Sequence, residues 1–501
     1  MKLAILLMLA LCAQGALAQT LPAFPGAEGF GAVASGGRGG QVLYVTTLNP
    51  DPNGEMPGSL NWALRQPGAR YVLFKVSGVI HAPATLRTAN VTLAGQTSPG
   101  GITVRGLVCD GHYDRNDCSN VIVRHLRTRP AFHLPLPAGG ERLDDALRLD
   151  GIRRFIFDHL SIANADDEAV QLSWASEGTI QWSALGETVG EHFDRGGMLI
   201  NYSHPNFPQD QLSIHHNLWY RVGGRLPEIT CESSNFPDLP GLVGSCQNTP
   251  LRIELANNLY HDVGFYIFYN KDVDQNAALG PYRMQMNLIN NRFVVRPEFA
   301  FGMIASDFLT VPSNQLYWSG NGMSRYPSFS DYQLAYCCND FPTAAPNMDF
   351  GVAQRLSVRH GFPAIGYTST AQLPSVLLAQ VGAFPRDPQL RRWLARVAAG
   401  SFDPTPLDQA GAKDAFALDF APGAEPPAPA DRDVDGMPDE FEVRHANLGM
   451  NPDIADPNGS QLSLPLTGQA GYSNLEVYLN LLADSLSGQG EMLFRSGFES
   501  L

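Results

Sequence analysis

Short apolar runs broken by glycine or asparagine recur along most of the chain, among them "NVIVRHL", "RFIFDHLSI", "GTIQWSAL", "LSIHHNLW", "LRIELANNLY", "MQMNLINNRF" and "NQLYWSGN". Apolar and polar residues tend to alternate within them, and few segments carry a helical period, so the runs read as strands. Four run into an asparagine, Asn217, Asn258, Asn291 and Asn321, separated by 41, 33 and 30 residues. Strands of near-constant length joined by loops of variable length are what stacked coils of a parallel β-solenoid produce. Asparagine suits each bend because its side chain bonds nearby backbone and tolerates left-handed geometry. A β-sandwich is the competing all-β arrangement, but its hairpins would show tight Asn-Gly or Asp-Gly turns about every ten residues. The variable spacing favours the solenoid.

The period changes near the end. "VGAFPRDPQLRRWLARVAAGS", from Val381, has helical spacing and is expected to cover an end of the solenoid. "APGAEPPAPA", residues 421–430, is a Pro/Ala linker expected to stay extended and to mark a domain boundary. Next comes "DRDVDGMPDEFE", which fits D-x-D-x-D-G-x5-E at every specified position. Calcium takes six to eight hard oxygens. Asp431, Asp433, Asp435, the Met437 carbonyl and a bidentate Glu442 supply them, with Gly436 for the sharp turn and Asp439 holding a water ligand. A second copy keeps Asp456, Asn458, Gly471 and Glu476, but an insertion breaks its spacing, and it reads as degenerate. The expected division is a body to 420, the linker, a calcium-binding tail over 431–485, and a terminal 486–501 segment without assigned role.

Charge narrows the partners. The 501 residues carry a formal net charge of −15. Residues 431–501 hold twelve acids and three arginines, hence −9, which leaves −6 for the first 430. Nucleic acid as partner would need a basic face, which this balance argues against. A polyanionic substrate would need local arginines or a bound cation. Lys2, the following apolar run and the small-residue exit "ALA" ending at Ala18 form a signal-peptide pattern, predicting secretion and a mature chain from Gln19. No later segment has eighteen uninterrupted apolar residues, so no membrane span is expected. Of seven cysteines, losing Cys12 leaves six, an even number in a compartment where disulfides persist. Cys109 with Cys118 and Cys231 with Cys246 would close short loops; connectivity stays open, and a monomer is the default.

"DDALRLDG" and "DHLSIANADDEAVQL" place carboxylates beside neighbouring strands. Stacked as adjacent coils about 4.8 Å apart, these would bring Asp145 together with the Asp166, Asp167, Glu168 run. Converging carboxylates repel unless a cation or protons intervene, so a calcium site or a catalytic acid/base pair are the two functional readings.

"AFPGAEGFGAVASGGRGGQVLYVTTLN", "PGSLNWAL", "NVTLAGQTSPGGITVRG", "NVIVRHLRTRP", "DALRLDGIRRFIFDHLSI", "DDEAVQL" and "HHNLWYRVGGRLP" follow one another in an order that resembles the secreted pectate lyases of polysaccharide lyase family one. The tail resembles an EF-hand-like, thrombospondin type 3-like appendage of bacterial members. The resemblance implies a right-handed parallel β-helix and a calcium-dependent lyase acting on pectate or another acidic polysaccharide. It implies that Arg225, in "RLP", takes the C5 proton of a uronate, and that Asp145 and Asp167 bind calcium, with Asp166 and Glu168 as additional oxygens. Many members carry a lysine where "FDRGGMLIN" offers Arg195 one position away, and a second arginine where this chain has Thr230. Arg195 and Arg221 are candidate substrate contacts. Arginine is an unusual base, since its ordinary pKa exceeds about 12, and an enzyme using one should prefer alkaline pH. The rival base is His215 or His216. Two other functions stay open: a β-helical glycoside hydrolase with paired carboxylates, and a non-catalytic carbohydrate-binding or adhesive protein.

Overall fold

The computed structural model describes residues 21–111, 116–130, 145–188, 196–203, 207–230, 246, 249–264, 267–270, 282–305, 311–336, 355–406 and 426–488. Signal segment 1–18, Arg195, Cys231, Cys337, Cys338 and most of the terminal segment lie outside these residues.

The strands form three long sheets in which every neighbouring pair is parallel. A ten-stranded sheet runs from Gln41–Val45 to Gln315–Ser319, a nine-stranded sheet from Gly78–Ile80 to Gly322–Met323, and a seven-stranded sheet from Ala84–Leu86 to Phe268–Asn270. Each coil contributes one short strand to each sheet before the next coil stacks on it. This is an all-β right-handed parallel β-helix, the hand expected of parallel crossovers in L-peptides. Period-two alternation turns Leu147, Leu149, Val170, Leu172, Met198, Ile200 and Ile229 inward, where they join one continuous apolar core. Apolar burial at about 25 cal/mol per Å² is the main stabilising term.

The four asparagines form a ladder through the interior of one corner. Asn217 Nδ2 donates to Asn258 Oδ1 at 3.1 Å, Asn258 Nδ2 to Asn291 Oδ1 at 3.0 Å, and Asn291 Nδ2 to Asn321 Oδ1 at 3.0 Å. Each amide also donates to a backbone carbonyl of the coil before it, as Asn258 does to Ile214 at 2.8 Å. The residues just before them, His216, Asn257 and Asn290, have φ between 51° and 53°, so the corner is a left-handed bend whose polar groups are satisfied inside the core. Asn258 is fully buried, so Asn258→Ala would orphan partners on both sides at about 3 kcal/mol in all. That loss should appear as a lowered urea midpoint with little change in slope.

Three additions cover the coils. The helix Leu60–Arg65 packs Leu60, Ala63 and Leu64 into the core near the N-terminal coils. The helix Pro388–Ala399 does not cover a solenoid end as the sequence suggested; Trp393, Leu390 and Leu394 lie on Ala163, Ala184, Leu218 and Leu259 along the flank of the nine-stranded sheet. Those outward apolar side chains need a cover, and an amphipathic helix supplies one. The segment after the linker packs Met437, Phe441, Leu475 and Leu479 on Tyr71, Leu73 and Ala94 of the ten-stranded sheet. Arg38 pairs with Glu476 at 2.7 Å across this contact, and Arg124 donates to Asn480 at 3.1 Å. Cys109 and Cys118 are disulfide-bonded to each other, and Cys246 is also in a disulfide.

Candidate active site

The N-terminal ends of the seven-stranded sheet bring the acidic motifs together. Ala146 N donates to Glu168 O, Ala169 N to Gly196 O and Met198 N to Arg225 O, at 3.0, 3.0 and 2.8 Å. Asp145, Glu168, the Gly196–Gly197 pair and Arg225 therefore occupy one column on four successive coils. Carboxylate oxygens of Asp145, Asp167 and Glu168 lie within 4.8 Å of one another. The Glu168 backbone N–H donates to Asp145 Oδ1 at 2.9 Å. Asp145 Oδ2 is buried without a hydrogen-bond partner among the described residues. Burial, reinforced by the Asp167 charge, pushes the Asp145 carboxyl well above its ordinary range. An orphaned carboxylate oxygen facing two more carboxylates fits a hard divalent cation. Asp166 is buried but lies outside the trio.

Arg225 faces this group. Its guanidinium pairs with Glu168, and its Nε donates to Glu228 Oε2 at 2.8 Å, so carboxylates hold it from two sides. Its φ of 59° is the left-handed bend that also turns other corners of the coils, as at His216 and Arg221. With Gly196–Gly197 between Glu168 and Arg225, no side chain separates them. A Cβ on Gly197 would sit 2.1 Å from Arg225 O and 2.4 Å from Gly224 O. Gly197→Ala should therefore shift the loop that carries Arg225, lowering kcat by about 10²-fold, the usual effect of a 1 Å misplacement, and costing about 1–3 kcal/mol of stability, read from initial rates and melting curves.

A cleft along the sheet continues from these residues and is lined also by Arg148, Asp150, Gln171, Trp174, Asn201 and Tyr202. Register explains the lining: Arg148 pairs with Gln171, and Gln171 with Leu199, which pairs with Glu228, so outward positions of successive strands form rows. Arg148 bonds Asp150 at 3.0 Å, and Trp174 and Tyr202 stack 4.8 Å apart. The motif reading did not include these residues, although alternation in "LRLD", "VQLS" and "MLIN" marks the polar members as outward-facing.

The other candidates lie elsewhere. Arg221 is not in the cleft: it is buried at the start of the same connection that carries Arg225, 3.2 Å from Asp403, and donates to the Thr405 carbonyl. A charge pair there anchors the strap after the flank helix. Thr230 is buried at the end of the strand Glu228–Thr230, so no cation replaces the second arginine at that position. His215 and His216 belong to the ten-stranded sheet and its corner, and neither lines the cleft. Burial lowers the pKa of both, His216 to about 4.

The second acidic motif forms the expected loop. Asp431, Asp433 and Asp435 bring carboxylate oxygens within 4.8 Å of one another, and Gly436 turns at φ 100°. Both oxygens of Asp433 and both of Glu442 are buried without a hydrogen-bond partner among the described residues. Burial and the neighbouring aspartates raise Asp435 to about 6 and Glu442 to about 8. Met437 follows the turn with its side chain in the docking core. This donor set also fits calcium. Asp439 turns to Arg432, with bonds of 2.9 and 3.0 Å, and opens the helix Asp439–Arg444. Glu476 of the degenerate copy caps a helix through Ser473 and pairs with Arg38. Tyr44 of the first coil donates its hydroxyl to Asp431.

The chain aligns with a probable pectate lyase C of Aspergillus fumigatus, 29% identical over 494 residues, covering 97% of this chain and 99% of the relative. A probable pectate lyase C of Aspergillus flavus is 28% identical over 480 residues, covering 93% and 95%. The chain is a pectate lyase-like lyase. No protein-family model matches it. Among solved structures, pectate lyase II of Xanthomonas campestris aligns with a TM-score of 0.38 at 13% identity, over 71% of this chain and 98% of that one. Among its described residues, no helix of this pectate lyase-like chain is long and apolar enough to cross a membrane.

Proposed function

We propose that the chain is a secreted, calcium-dependent lyase that cleaves pectate or a related polyuronate by β-elimination, with Arg225 as the base. The observation that carries this reading is the Arg225 guanidinium set against the Asp145, Asp167, Glu168 group at the head of an open cleft. The secretion reading rests on the N-terminal residues.

Elimination removes the C5 proton, α to the uronate carboxylate, and expels the C4 oxygen, leaving a C4=C5 double bond. Asp145, Asp167 and Glu168 would hold calcium. Bound there, calcium would neutralise the uronate carboxylate and act as a Lewis acid on the charge that develops as C5–H breaks. Arg225, in its neutral guanidine form, accepts that proton and becomes guanidinium, Glu168 and Glu228 fix the direction from which it approaches, and the expelled C4 oxygen takes a proton from water. Arg148 and Gln171, side by side on neighbouring strands, offer donors to sugar oxygens across the sheet, and Trp174 with Tyr202 gives the cleft an aromatic wall. An acidic protein can bind an acidic polymer in this way because the cation lies between them.

Incubation with polygalacturonate and calcium tests the reading: ultraviolet absorbance of the unsaturated product should rise with the number of new chain ends. New reducing ends without absorbance would establish hydrolysis instead. Binding without cleavage would establish a non-catalytic carbohydrate-binding protein.

A further inference from the structure

We propose that Glu28, His215 and His216 form a second metal site, for a divalent transition-metal ion of the zinc class, at the corner between the ten- and nine-stranded sheets, apart from the acidic cleft on the seven-stranded sheet. One donor atom from each lies within 4.8 Å of the others. They come from distant parts of the sequence. His215 ends the strand Asp210–His215, His216 occupies the left-handed corner at φ 53°, and Glu28 belongs to the N-terminal segment lying across the ten-stranded sheet. That segment is pinned in place: Glu28 N donates to Gln181 Oε1 at 3.2 Å, Thr179 Oγ1 to Glu28 O at 2.9 Å, and Phe30 N to Ser213 Oγ at 3.1 Å.

The donor chemistry selects the ion. The two imidazoles meet through their Nδ1 atoms at 2.9 Å, and burial keeps both rings neutral, the form that binds metals. His216 Nε2 contacts Thr368 Oγ1 at 3.2 Å, so its Nδ1 is the nitrogen turned to the cluster. His215 is fully buried, and its Nε2 has no hydrogen-bond partner among the described residues. The Glu28 carboxylate accepts from Gly366 N at 3.0 and 3.1 Å and keeps further lone pairs for a cation. Two imidazoles and one carboxylate match the three-ligand zinc arrangement with an open fourth position, whereas calcium prefers all-oxygen sites. Glu28 and His216 also line a cavity of about 220 Å³ with Trp182 and Thr368, and the Trp182 ring stacks on His216 at 4.3 Å. This cavity shares no lining residue with the acidic cleft.

Cobalt is the probe, since a low-coordinate Co²⁺ site absorbs in the visible. Full-length protein stripped with a chelator and re-equilibrated with calcium should bind one equivalent of Co²⁺ with a d–d band, and Zn²⁺ should displace it. Glu28→Gln, which keeps side-chain volume, and His216→Ala should each weaken Co²⁺ binding by tenfold or more with unchanged circular dichroism, while Asp433→Asn leaves it intact. Absence of the band in the unmodified protein, undiminished binding in Glu28→Gln, or loss of the band in Asp433→Asn would each overturn the assignment. If His216→Ala does not fold, Glu28→Gln decides alone.

Discussion

Arg225→Ala should lower turnover of polygalacturonate by about 10³-fold while the protein, with calcium present, folds and melts nearly as before. Loss of a positioned proton acceptor commonly costs 10²- to 10⁴-fold. Arg225 is mostly covered, and its loss leaves the buried Glu168 without its partner, so stability should stay near that of the unmodified protein only with calcium present, where the cation held by Glu168 would offset that charge. Arg225→Lys should not restore the rate, because an ammonium cannot span Glu168 and Glu228 with one planar group. Initial rates by absorbance, paired with melting curves, check both variants. Turnover within tenfold of the unmodified enzyme in Arg225→Ala would move the base to another residue.

Calcium removal should abolish turnover and, separately, lower the melting temperature. In the cleft, a lost Lewis acid corresponds to several kcal/mol of barrier, about 10³-fold or more in rate. In the C-terminal loop the effect is on folding, since an ion bound at 100 times its Kd stabilises by about 2.7 kcal/mol. Substitutions separate the two. Asp145→Asn should impair turnover and keep the calcium-dependent rise in melting temperature. Glu442→Gln should lose that rise, because it removes one charge from a loop whose carboxylates repel without a cation. Calorimetry with and without chelator gives the thermal readout, and a melting temperature indifferent to calcium would remove the ion from the loop.

Much of this architecture is legible in the residues. The asparagine period reports the solenoid because a buried amide must bond both the coil before and the coil after, so Asn217, Asn258, Asn291 and Asn321 recur once per coil. Asp145, Asp167 and Glu168 could be brought together from strand stacking alone. Two things resisted. Arg221 and Arg225 look alike in "RVGGRLP", yet left-handed bends at both positions send one toward Asp403 and the other into the cleft. The helix Pro388–Ala399 showed an apolar stripe, but which surface it covers depends on outward Ala163, Ala184, Leu218 and Leu259, on strands far away in sequence. The linker pattern likewise conveyed nothing about the docking of the segment beyond it, which is fixed by Tyr71 and Leu73 several hundred residues earlier.

That docking changes how the molecule should come apart. A stack of coils can ordinarily fray from a free terminus, one repeat at a time, because each repeat touches only its neighbours. Here Leu21, Arg38 and Tyr44 are gripped by Met437, Tyr472 and Glu476, so the first coil is latched by a segment from the far end of the sequence. Mechanical pulling on the two termini should meet this latch first, and only its rupture should let the coils unzip in sequence.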